Sequence, residues 1–162
     1  MGMGDVTFRF AQREDTALIM EFIRGLAEHE KEKEKVIATE ELLEEWLFEK
    51  ERAEVLFALA DGQEVGFALF FESFATYPGK GGIYLDDLFV KPEYRGYGYG
   101  KALLQRLAQI VVERGGVRIE WLCLNWNPSM EFYKAMGAKP MDICTTFRLE
   151  GDVLKSFAEG KE

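Results

Sequence analysis

The sequence predicts an α/β domain, and three observations carry that prediction. Runs rich in β-branched and aromatic residues alternate with stretches whose apolar residues recur at helical spacing, and glycine or proline marks most of the joints. The best-defined stretch, residues 83–113, reads IYLDDLFVKPEYRGYGYGKALLQRLAQIVVE: a strand, a glycine loop and an amphipathic helix. No internal repeat, linker or low-complexity tract interrupts the 162 residues, so residues 1–162 read as a single domain. A chain of that length buries roughly two-thirds of its unfolded surface and needs no staples.

Val6–Phe10 alternates as a first strand. Asp15 is placed to cap a helix that carries Leu18, Ile19, Phe22, Ile23 and Leu26 on one stripe. The run AEHEKEKEK, residues 27–35, leaves that pattern and reads as a solvated helix end or loop. Thr39, followed by Glu40 and Glu41, opens a second helix bearing Leu42, Leu43, Trp46 and Leu47. Residues 53–60 and 64–73 read as two strands joined by Asp61-Gly62, a dipeptide that tolerates φ > 0. A loop over 74–82 leads to the central strand, 83–90, which stops at Pro92 because proline lacks a ladder donor. After the helix over 101–113, Gly115-Gly116 breaks the chain and 117–124 forms a further strand. Asn127-Pro128 starts a short helix that Gly137 closes. Residues 139–149 read as one or two strands, followed by a frayed terminal segment.

Composition narrows the function classes. A formal net charge of −9 disfavours nucleic acid and favours cationic ligands. No apolar run approaches the ~18 residues of a membrane span. Acids at positions 5, 14 and 15 argue against a secretory leader, and valine at position 6 argues against a lipid on Gly2, so the expected location is the cytoplasm. Two cysteines outside any C-x-x-C pair and a single histidine offer neither a disulfide framework nor a zinc site. Cys123 and Cys144 are expected to be buried, Cys123 within its apolar strand.

The glycine loop carries the chemistry. Alternate glycines let the main chain approach a ligand with no Cβ in the way, at a helix N-terminus where unpaired N–H groups and the macrodipole favour anions. Arg95 and Lys101 add positive charge. A Walker A loop needs glycine where Arg95 stands and Ser or Thr at Ala102, and a dinucleotide fingerprint needs glycine at Leu103. The spacing that fits is Arg/Gln-x-x-Gly-x-Gly/Ala, here Arg95-x-x-Gly98-x-Gly100 after LDDLFV, which resembles the acetyl-CoA loop of the GNAT N-acetyltransferases.

The resemblance extends over residues 6–158 and is to the diamine (spermidine/spermine-type) branch of that family. IRGLAEHEKEKEKV, YLDDLFVKPEYRGYGYG and, late in the chain, WNPSMEFYKAMGA carry it. It implies a mixed central sheet flanked by helices, acetyl-CoA bound at a splay between central strands, no metal, a small amine substrate and a homodimer. Carried over by position, Leu88, Phe89 and Val90 offer main-chain groups to the pantetheine and thioester, and Arg95, Gly96, Tyr97, Gly98, Tyr99, Gly100 and Lys101 hold the pyrophosphate. Asn127 and Ser129 fall on cofactor contacts and Tyr133 on the tyrosine near the sulfur. Asp86, His29, Glu30 and Glu120 fall on amine-side positions.

The implied reaction is direct transfer of the acetyl group from acetyl-CoA to a primary amine of a small polyamine-like cation. Such an amine is mostly protonated at neutral pH, so a base is required, and Asp86 is the candidate. The N–H of Leu88 or Phe89 could stabilise the oxyanion if the strand is distorted there, and Tyr133 could protonate the leaving sulfur. Neighbouring strand residues point to opposite faces, so one of Asp86 and Asp87 is expected to face the site, and Asp86 is the one assigned. A GNAT enzyme for another amine (an amino acid, thialysine or an aminoglycoside) and a non-catalytic acyl-CoA-binding module are the other readings.

Overall fold

The computed structural model describes residues 5–161; Gly2 lies outside them. Two compact units divide the chain, residues 1–122 and 123–162.

The first unit is built on a five-stranded sheet in chain order: β1 (Val6–Phe10), β2 (Glu54–Ala60), β3 (Gln63–Ala75), β4 (Lys80–Val90) and β5 (Ile119–Trp121). β1 to β4 are antiparallel neighbours and β5 runs parallel to β4, so the sheet is mixed. Asp61 (φ 51°) and Gly62 (φ 78°) both lie in the left-handed region, which suits the tight β2–β3 hairpin. One face of the sheet packs on α1 (Thr16–His29), where Phe22 stacks at 5.2 Å on Phe67 and lies 5.6 Å from Phe57. Ile19, Met20, Leu43, Leu47 and Val55 complete that core. The opposite face receives α3 (Tyr99–Glu113): Gly66, next to Phe67 on β3, has Leu103 of α3 where its own side chain would stand.

Several expectations change. Asp15 precedes α1 but does not cap it; its carboxylate takes the Gln12 N–H at 2.7 Å and the guanidinium of Arg9 at 2.8 Å, closing the short turn Arg13–Asp15. Thr39 does cap α2 (Glu40–Leu43), accepting the Leu42 N–H at 3.1 Å, but the helix widens into a π-helical turn, Glu44–Glu49. The loop expected over 74–82 shrinks to a turn over 76–79. Gly81 and Gly82 belong to β4, because a Cβ on Gly82 would lie 2.6 Å from the Arg118 carbonyl oxygen. Glycine there marks close approach of two backbones rather than a turn.

β5 is shorter than expected, leaving Cys123 outside any strand and only half-buried, and Cys144 is exposed. The second unit holds α4 (Ser129–Ala135), which Gly137 ends at φ 100°, and α5 (Gly151–Ala158) in place of a frayed terminus. Residues 139–149 form no strand; their β-branched and aromatic content has no ladder to join. No helix among the described residues is long and apolar enough to cross a membrane.

Candidate active site

The site is organised by what happens to β4 beyond Leu85. Parallel pairing joins Ile83, Tyr84 and Leu85 to Ile119, Glu120 and Trp121, and β4 then continues to Val90 without β5 beside it. That edge is open. On the other side β3 stays paired, and the Lys91 N–H bonds to the Val65 carbonyl at 2.9 Å. Hydrogen-bonded pairs alternate along an antiparallel ladder, so Phe89 also turns its main-chain groups to β3, whereas Leu88 and Val90 turn theirs to the open edge. The expectation that Phe89 offers main-chain groups to a ligand is therefore corrected. Its ring is 5 % exposed and wedges against α1.

A bulge lies at the start of the open edge. Leu69 pairs with Asp87 and Phe70 with Leu85, so Asp86 is the extra residue. The bulge interrupts the strict alternation that would send the two aspartates to opposite faces, and Asp86 acts electrostatically on Asp87. Asp86 is exposed and Asp87 more enclosed. Burial, then the charge of Asp86, then the charge of Glu30, push the Asp87 carboxyl up to about 7. Sequence reasoning placed Asp86 and Glu30 together but left Asp87 out, because a bulge has no signature in the string LDD.

Beyond β4, the turn Pro92–Tyr94 leads into the glycine loop. Gly96 and Gly98 both stand at φ 86°, a conformation that L side chains rarely adopt, and Gly98 is the residue on which α3 starts. Tyr99 N–H and the amides after it open the helix, while the Tyr99 ring turns inward at 6 % exposure and meets Tyr94 edge-on. Tyr97 and Lys101 are exposed at the same end. Gly100 has only Val90 within ordinary contact of where a Cβ would be. This is a cradle of main-chain donors with a dipole behind it, suited to an anion of phosphate type.

Arg95 is folded back. Its Nε donates to the Val90 carbonyl at 2.9 Å, its NH1 lies 3.3 Å from His29 Nδ1, and its guanidinium stacks over Phe89 at 5.1 Å. His29 thus stands at the loop, apart from the bulge acids in its contacts, where an amine-side role had been expected. Glu120 sits on β5 opposite Tyr84 and pairs with Arg118 at 3.3 Å.

In the second unit the Asn127 side chain accepts the Ser129 N–H at 2.8 Å, which opens α4. Tyr133 projects from that helix; burial, with the charge of Cys123 behind it, raises its phenol above the ordinary value. Among the described residues no group of three or more His, Cys, Asp or Glu could hold a metal ion.

Residues 20–138 match the model of the acetyltransferase (GNAT) family. The chain belongs to the GNAT acetyltransferases. A bovine (Bos taurus) thialysine N-epsilon-acetyltransferase is 34 % identical to it, over 96 % of this chain and 99 % of the relative. The L-ornithine N5-acetyltransferase NATA1 of Arabidopsis thaliana is 37 % identical across 60 % of this chain and 43 % of its own length. Among solved structures, an integron cassette protein from the mobile metagenome of V. cholerae superposes with a TM-score of 0.79 at 27 % identity, covering 96 % of this chain and 98 % of that one. This acetyltransferase is an N-acetyltransferase acting on amines, and acetyl-CoA is the donor its family uses.

Proposed function

We propose that this acetyltransferase transfers the acetyl group of acetyl-CoA directly to a terminal primary amine of a small diamine-like cation, the class that includes polyamines and diamino acids such as thialysine and ornithine. The observation that carries the reading is the Asp86–Asp87 pair at the bulge, with the charge of Glu30 acting on it. Two carboxyl groups at an open strand edge, with the charge of Glu30 at the end of α1 bearing on one of them, suit an ammonium group, by charge and by charge-assisted hydrogen bonds. The names of the bovine and Arabidopsis relatives, both acting on side-chain amines of diamino acids, support the same class.

When bound, acetyl-CoA supplies the activated thioester. The residues that would hold it fit: the amides at 96–101 form an anion cradle at the α3 N-terminus, with exposed Lys101 beside it, and Leu88 with its N–H and carbonyl and Val90 with its N–H face the open edge, the Val90 carbonyl being taken by Arg95. Asn127 and Ser129 are assigned to the same ligand. The Leu88 N–H is the donor aimed where negative charge develops on a carbonyl oxygen, since Phe89 is committed to β3.

Asp86, exposed beside Asp87, takes a proton from the incoming ammonium, directly or through water, and Asp87 and Glu30 hold the positive charge that remains. Glu120 is assigned to the amine side as well. Tyr133, with its phenol held protonated, supplies the proton to the departing sulfur. Residues 1–162 act as a single domain and the protein works as a cytoplasmic homodimer, with neither nucleic acid nor membrane as partner; the net charge of −9 favours a cationic substrate and opposes phosphate polymers.

The test is thiol release from acetyl-CoA across thialysine, ornithine, lysine, putrescine, spermidine and an aminoglycoside. The reading expects the highest kcat/KM on a diamine or diamino acid. Turnover restricted to the aminoglycoside overturns the substrate class, and CoA binding without thiol release for any amine overturns the enzyme.

A further inference from the structure

His29 is the only histidine of the chain, and it ends α1. Its Nδ1 lies 3.3 Å from a terminal nitrogen of Arg95. A guanidinium has donors and no acceptor, so the contact requires Nδ1 to be the accepting nitrogen of a neutral imidazole, with the proton on Nε2. Arg95 is held on two further sides, by the Val90 carbonyl at 2.9 Å and by the face of the Phe89 ring at 5.1 Å. The same ring lies 6.4 Å from His29 and is approached by Gly25, where a Cβ would come within 3.0 Å of it. Arg95 immediately precedes Gly96 and Gly98, whose positive φ values set the path of the anion cradle. A main chain with two left-handed glycines on either side of one residue has wide conformational freedom, and an anchored residue at its start restricts it.

Resting on the reading that this loop binds the diphosphate of acetyl-CoA, the geometry points to His29 as a positioning residue for the cofactor loop. It pins Arg95 against β4 and so preorganises the 96–101 amides for the anion. Since His29 is followed directly by Glu30, whose charge bears on Asp87, the end of α1 also joins the cofactor loop to the amine-side acids. The role assigned to His29 thereby moves from the substrate to the donor.

Protonating the imidazole removes the acceptor and places two cations face to face, so the tether is lost in acid. The other charged groups around this contact are Glu21 and Glu28 on α1 and Lys91 at the end of β4, which line the cavity of about 360 Å3 beside His29. Lys91 lies 3.9 Å from Glu21 and over the Phe22 ring at 5.1 Å.

Calorimetric titration of CoA tests this in the wild type, His29→Ala, His29→Gln, Arg95→Ala and the His29→Ala/Arg95→Ala double variant, with thermal melts to verify folding. His29→Ala is expected to weaken CoA roughly three- to tenfold, the loss of one ordinary net hydrogen bond at an exposed contact. His29→Gln, which keeps an acceptor, recovers part of it, and the double variant binds no more weakly than Arg95→Ala alone. The wild type loses CoA affinity relative to His29→Gln in acid; titration of the ligand's own phosphates is common to both. At saturating acetyl-CoA the amine KM is unchanged in His29→Ala. Unchanged CoA affinity with a raised amine KM overturns the proposal in favour of a substrate contact, and additive losses in the double variant overturn the tether. A wild type that binds no CoA fails the proposed function itself, a result separable from either.

Discussion

Asp86 and Asp87, neighbours in a strand, meet at the bulge opposite Leu69 and Phe70, where Asp86 is the extra residue and its charge bears on Asp87. Burial first, then the charge of Asp86, pushes the Asp87 carboxyl up to about 7. An ammonium group binds the ionised pair best. The apparent affinity for the amine should therefore rise with pH through about 7. Asp86→Asn removes the charge that raises Asp87, so the acidic limb of the amine KM should move to lower pH even as turnover falls. Michaelis profiles from pH 5 to 9 for wild type and variant check this, and a limb that does not move would detach it from Asp87.

The same displacement has a sign for stability. The folded Asp87 holds its proton up to about 7, whereas the unfolded chain releases it near the ordinary carboxyl value of 3.8. Folding stability is thus lowered as the pH rises between those values, and the loss is complete above the folded value. Asp87→Asn should be more stable than the wild type above pH 7, by up to a few kcal/mol at about 1.4 kcal/mol per unit of displacement, and little different near pH 4. Urea titrations at the two pH values measure it.

Much of this was legible in the residues. The strand, loop and helix over 83–113 follow from periodicity and from glycines whose left-handed φ values the structure bears out at Gly96 and Gly98. What could not be read depended on partners distant in sequence. Gly82 reads as a loop residue in the sequence but lies in β4 against the Arg118 carbonyl, and strand alternation alone puts Asp86 and Asp87 on opposite faces where the β3 register has an extra residue. The strand-like run at 139–149 had propensity but no ladder, and Asp15 spent its carboxylate on Arg9 and Gln12 rather than on α1.

Gly100 separates folding from ligand binding. It lies in the first turn of α3 with an ordinary helical backbone, and a Cβ there would meet only Val90, at 3.9 Å. Alanine in a helix is favoured over glycine by about 1 kcal/mol, so Gly100→Ala should melt at the same temperature as the wild type or slightly higher. If the cradle takes the diphosphate as proposed, the added methyl stands between it and the main chain, so CoA affinity should drop tenfold or more, an order-of-magnitude figure for displacing charge-assisted contacts. A variant with unchanged CoA affinity would move the diphosphate away from this turn. Gly98→Ala gives the contrast: with φ at 86° it should lose stability as well as affinity.

Tyr133 is the last residue whose role can be isolated. Its phenol is raised above the ordinary value, first by burial and then by Cys123, so it is protonated at any pH at which the enzyme would work. A group that gives its proton only as the sulfur departs contributes to the transition state and not to binding, and loss of a general acid costs roughly 10²- to 10⁴-fold. Tyr133→Phe keeps the ring and removes the proton. It should lower kcat by that order while the CoA dissociation constant stays within about twofold, since no binding contact is assigned to the hydroxyl. Rates with an acyl donor whose leaving thiol is more acidic should be less affected by the substitution, because such a thiolate departs without help. A variant equally impaired with both donors would point to misplacement of α4 rather than to a missing proton, and one with unimpaired turnover would remove Tyr133 from the chemistry.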